Sequence, residues 1–142
     1  MTLPPGEYFI INQASGKFVY ADSTDKSGEK IYLRKEDAFD STDVFAVKNI
    51  EGELYTISSK ESELKLKIGV PTAAREGSTL VWSDKEPQFR ILPSGPGIFN
   101  IRLAAEGQFL FDHGTEESPG ITPLLITADN NKDSSSWKFV VA

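Results

Sequence analysis

The sequence predicts an all-β fold built from three repeats, and three observations carry the prediction. Short apolar segments alternate with a period of two, and no stretch carries the 3.6-residue stripe of an amphipathic helix. Gly, Pro, Ser, Asn and Asp separate these segments, as turns require. Large residues then recur in the forties: Tyr8, Tyr55 and Phe99 lie 47 and 44 residues apart, and Phe45, Phe89 and Trp137 lie 44 and 48 apart. A period of that length marks a repeat architecture.

The segments follow in order. Tyr8–Ile11, Lys17–Tyr20, Lys30–Arg34 and Asp43–Val47 form the first group. Glu53–Ile57, Leu64–Ile68, Thr79–Trp82 and Gln88–Leu92 form the second, and Leu64, Leu66 and Ile68 alternate with lysines, which favours a strand over a short helix. Ile98–Leu103, Gln108–Phe111, Pro123–Ile126 and Trp137–Val141 form the third. Second strands align on Phe18, Leu64 and Phe109. Twelve strands in three four-stranded units exclude helical repeats and are too few blades for a typical propeller. They fit a β-trefoil, in which six strands close a barrel and six form hairpins capping one end. Closure removes the sheet edges that an all-β chain must otherwise protect. One domain over residues 1–142 is expected, with repeats at 6–50, 51–94 and 95–142. The expected core includes Tyr8, Phe18, Phe45, Tyr55, Phe89, Phe99, Phe109 and Trp137.

Composition narrows the function. Hydrophobic residues make up 39% of the 142, enough for a core. A net charge of −6 argues against nucleic acid, whose phosphates need a basic surface. With no cysteine there is no disulfide, thiol nucleophile or thiolate metal site. The N-terminus shows no basic stretch followed by an apolar run, and no apolar run approaches a membrane span. The expectation is a cytoplasmic monomer with no membrane or nucleic-acid partner.

The motifs of catalysis and cofactor binding are missing: no HExxH, GxSxG, P-loop or GxGxxG occurs. The single histidine, His113, sits in a turn, where solvation is its ordinary role. Loop carboxylates such as Glu61, Glu63, Glu116 and Glu117 are scattered, and Asp22–Asp25 lacks the ligand spacing of a calcium loop. No enzyme, cofactor or metal is expected. A trefoil of this kind works through its loops. The longest join second and third strands, at Asp22–Glu29, Gly69–Ser78 and Asp112–Gly120. Lys26 lies in the first and Arg75 in the second, and Lys132 lies in the loop before the last strand. Such residues serve solubility first. On a fixed loop, though, one could enter the carboxylate-floored pocket of a trypsin-like protease with its entropy already lost. Lys26 suits this best because small Ser27 follows it, whereas Glu76 follows Arg75 and Asp133 follows Lys132. Thr24, Asp25, Ser27 and Gly28 would flank it, Gly28 allowing a turn.

Leu3–Ile10, Gly69–Ala73, Pro87–Ile91 and Ser136–Val140 together resemble the small β-trefoil serine protease inhibitors of mushrooms, of the cospin and cnispin type. The resemblance runs over essentially the whole chain. It implies a fungal, cysteine-free protein inhibiting a trypsin-like serine protease. The reactive residue would be Lys26 in the cospin-like arrangement or Lys132 in the cnispin-like one. Two neighbouring families share the fold. Mycocypins inhibit cysteine proteases through Gly-containing loops; Gly16 fits the first such loop, but Phe39–Asp43 has no glycine. Ricin-B-type lectins carry Gln-x-Trp in each repeat. Phe45, Phe89 and Trp137 stand in the equivalent places without that Gln. Lectin sites also place an Asp and an aromatic in each repeat, and no consistent set occurs here. Trp82 reads as a sugar platform or as core.

Overall fold

Alternation sets the strands of the computed structural model, which describes residues 2–21, 26–35, 43–60, 67–70, 77–85, 87–105, 107–114, 116–118, 120–128 and 132–142. In β1 (Gly6–Asn12) Tyr8, Ile10 and Asn12 turn inward while Phe9 and Ile11 stay half-buried. The remaining strands are β2 (Phe18–Tyr20), β3 (Tyr32–Arg34), β4 (Phe45–Glu51), β5 (Leu54–Ser59) and β6 (Lys67–Gly69). They continue with β7 (Val81–Ser83), β8 (Phe89–Gly95), β9 (Ile98–Leu103), β10 (Phe109–Asp112), β11 (Ile121–Thr127) and β12 (Ser136–Val141). These are twelve strands among the described residues, with one short 3-10 helix at Lys132–Ser135.

Six of them close a ring of antiparallel pairs: β1–β4, β4–β5, β5–β8, β8–β9, β9–β12 and β12–β1. The two series of large residues seen in the sequence meet across this barrel. Tyr8 lies opposite Phe45, Tyr55 opposite Phe89, and Phe99 opposite Trp137. Directly opposed residues share a face, so the three aromatic pairs fill the barrel as one threefold layer. Their polar atoms are met inside: the Tyr55 hydroxyl donates to Leu3 O at 2.6 Å and the Trp137 indole N–H to Leu110 O at 3.0 Å.

The other six strands form three hairpins, β2–β3, β6–β7 and β10–β11. Each contributes one buried cross-strand pair: Val19 with Leu33, Ile68 with Trp82, and Leu110 with Ile126. The hairpins are stitched around the pseudo-threefold axis by a closed ring of backbone hydrogen bonds. Ile31 N–H donates to Leu80 O at 2.9 Å, Leu80 N–H to Leu124 O at 2.8 Å, and Leu124 N–H to Ile31 O at 3.0 Å. The fold is a β-trefoil, as expected.

Two details differ from the sequence reading. Phe109 is half-buried rather than core; it faces outward on β10 beneath Arg102, whose guanidinium carbon lies 5.5 Å from the ring centroid. Leu110 takes the inward place, so the second strands align on Val19, Ile68 and Leu110. Leu64 lies outside the described residues. Trp82 is core: it is fully buried and stacks on Phe45 at 6.0 Å and 9°. It is therefore no sugar platform.

Candidate functional site

Among the described residues two clefts lie on the cap, each formed where a turn of one repeat lies over a hairpin of the next. The larger, of about 530 Å³, is lined by Gly77, Thr79, Phe111, His113, Glu117, Pro123 and Leu125. Three separate segments meet there. Gly77 N–H donates to Ile126 O at 2.9 Å and Ile126 N–H to Ser78 O at 3.1 Å, which lays Gly77–Thr79 along β11. Thr79 then bridges Leu125. Asp112 ends β10 and accepts Gly114 N–H at 2.9 Å, a local turn that Gly114 completes with a φ of +88°. This turn lifts His113 into solvent with its ring edge-on to Phe111, centroids 6.0 Å apart.

The floor is therefore apolar, made of Phe111, Pro123 and Leu125, and the rim is polar, made of Thr79, His113 and Glu117. Glu117 stands near the Tyr32 phenol, whose pKa is raised above 10.0 by burial first and by this neighbouring carboxylate second. Asp112 is buried beside the cleft, and its second carboxylate oxygen has no hydrogen-bond partner among the described residues.

The sequence-predicted loop residues fall elsewhere. Lys26, Ser27 and Gly28 are exposed in a tight turn against β7. Gly28 N–H donates to Trp82 O at 2.7 Å, Trp82 N–H to Glu29 O at 2.9 Å, and Glu29 N–H to Lys26 O at 3.1 Å. Gly28 has a φ of +91°, the turn geometry expected of it. The Lys26 N–H donates to the Glu29 carboxylate at 3.1 Å. Thr24, Asp25 and Arg75 lie outside the described residues, and Lys132 opens the 3-10 helix before β12. Gly16, in the β1–β2 turn, has a φ of +71°, and Asp43 is buried in an ion pair with Arg34 at 3.0 Å. His113 is exposed in a turn, as the sequence led one to expect, whereas the cleft beside it was not legible because it joins Gly77–Thr79 to a hairpin more than thirty residues further along the chain.

No protein-family model matches the chain, and neither does any curated sequence. Solved structures do. A designed threefold-symmetric protein, ThreeFoil, superposes with a TM-score of 0.83 at 15% identity, covering 96% of this chain and 99% of that one. The Rhizoctonia solani agglutinin gives 0.81 at 19% identity over 100% and 99%. The Macrolepiota procera ricin B-like lectin, solved with lactose, gives 0.80 at 16% identity over the full length of both chains. These likenesses establish the β-trefoil fold.

Proposed function

We propose that the protein is a non-catalytic glycan-binding trefoil and that the Phe111 cleft holds a neutral sugar. The cleft's chemistry carries this reading. A pyranose presents an apolar C–H face and a rim of hydroxyls. Phe111, Pro123 and Leu125 supply a matching apolar floor, and Thr79, His113 and Glu117 supply donors and acceptors around it. The lectins among the similar structures support the same class. The test is a lactose titration followed by amide NMR shifts, beside a glycan array. Shifts at His113, Glu117 and Leu125, weakened at least severalfold by Thr79→Val and His113→Ala, are expected. An array with no bound glycan and a titration with no shift at these amides would overturn the reading.

One observation favours a second reading, inhibition of a trypsin-like serine protease through Lys26. Its exposed side chain stands on a turn tied to β7 by two backbone hydrogen bonds, the pre-ordered display that a substrate-like loop needs. The reading is placed second because Lys26 N–H is already bonded to Glu29, and an extended substrate-like segment needs such groups for its partner. Lys26→Glu should abolish trypsin inhibition at unchanged melting temperature, with Lys132→Glu and Arg75→Glu as controls. Absence of inhibition in the unmodified protein removes this reading.

A further inference from the structure

The second cleft, of about 350 Å³, lies between the Lys26–Glu29 turn and β7, with Ser27, Gly28, Val81, Ser83, Asp84 and Lys85 in its lining and Val70 just after β6. It is the pseudo-threefold counterpart of the Phe111 cleft: Lys30 bridges Val81 as Thr79 bridges Leu125, and Gly28 bonds Trp82 as Gly77 bonds Ile126. Its chemistry differs. Val81 and Ser83 are two apart on β7 and share a face. Lys30 lies opposite Val81 on one side, and Lys67 lies opposite Ser83 on the other, so both lysines stand on that face. Lys85 lines the cleft, and Lys26 adjoins it next to Ser27.

Lys85 thus lines this cleft, and Lys26, Lys30 and Lys67 stand beside its lining residues, in a chain of net charge −6. Among the described residues the ion pairs take Lys17, Arg34 and Lys60, and none takes these four. Among the described residues the acidic groups beside them are Asp84, in the lining, and Glu29, whose carboxylate accepts Lys26 N–H. Like charges gathered around a concave, low-dielectric wall focus their field on it and attract a counter-ion. The Phe111 cleft has the Glu117 carboxylate in its lining instead and no lysine or arginine.

We propose that this cleft is a second binding site, for a saccharide bearing a sulfate or carboxylate group. The saccharide part rests on the glycan reading above, whereas the preference for an anion stands on the cleft's own lysines. The test titrates the protein with lactose, with lactose 3′-sulfate and with inorganic sulfate, read by amide NMR shifts. Lactose 3′-sulfate should move Gly28, Ser83 and Lys85, and its affinity should fall with added salt. Lys67→Glu with Lys85→Glu should weaken it about tenfold, and Lys30→Ala with Lys85→Ala by a smaller factor, at unchanged melting temperature. Sulfated lactose that binds only at His113 and Leu125 or nowhere overturns the proposal, as does equal affinity in the Lys67→Glu, Lys85→Glu variant. Inorganic sulfate binding as tightly at the same amides overturns its saccharide part. Lactose that leaves the Phe111 cleft silent while its sulfate ester moves Ser83 removes only the assignment of lactose to the Phe111 cleft and leaves this proposal standing.

Discussion

Gly69→Ala tests the packing of the β6–β7 hairpin. Gly69 ends β6 opposite Val81, and its φ is not in the left-handed region, so alanine is conformationally acceptable there. Space is what forbids it. A Cβ added at Gly69 would sit 2.6 Å from Ser83 Cβ and 3.3 Å from Pro87 Cγ. Carbon atoms pack best near 3.5–4.0 Å, so β6 and β7 would have to part by about 1 Å. Ile68 and Trp82, both fully buried, form the pair beside the clash, and the displacement reaches the core through them. Overpacking of this kind costs about 1–3 kcal/mol, a loss of about 3–10 °C in Tm for a chain of this size. Thermal melting by circular dichroism measures it. Ser83→Gly removes the obstructing carbon. Alone it destabilises by about 0.5–1 kcal/mol, but combined with Gly69→Ala it should recover most of the alanine's cost. A Gly69→Ala protein as stable as the parent, or a double variant whose losses simply add, would refute the steric argument.

Phe89→Ala or Trp137→Ala should cost about 3–5 kcal/mol in urea unfolding, because each leaves a hole in the threefold aromatic layer. Phe109→Ala, half-buried under Arg102, should cost about 1–2 kcal/mol, and a loss matching Phe89→Ala would contradict the outward placement of its ring. In alkali the tyrosines set the limit: burial raises the phenol pKa of Tyr8 and Tyr55 above the unfolded value of 10.0. Their contribution is fully present below that value and is lost as pH rises through the raised folded values. Stability should fall above about pH 10, with tyrosine ionisation by ultraviolet absorbance lagging behind that of the unfolded chain, and simultaneous titration would refute it.

Particular residues show what could be read in advance. The Tyr8, Tyr55, Phe99 series and the Phe45, Phe89, Trp137 series were visible as spacings, and they became the three opposed pairs of the barrel. The turn role of Gly28 was visible because few residues tolerate a positive φ. The inward residue of β10 was not visible. Phe109-Leu110-Phe111 is apolar at every position, so it has no alternation from which to choose a face. His113 looked like an ordinary solvated residue because its neighbours in the chain are Asp112 and Gly114, while its neighbours across the cleft are Thr79 and Leu125.

The class of fold could be read from the residues in order, because strand period, turn chemistry and repeat length are local properties that a linear pattern carries. Which large residues would share the barrel could be read there too, since three similar units closing on one axis must place equivalent positions at equivalent heights. Tertiary structure alone decided the clefts. Each arises where a turn of one repeat is hydrogen-bonded over a hairpin of the next, Gly77 to Ile126 in one and Gly28 to Trp82 in the other. That docking brings together side chains distant in the chain: Thr79 with His113 and Leu125, and Ser27 with Ser83 and Lys85. Their chemistry exists only as a neighbourhood, and the closing of the trefoil creates it.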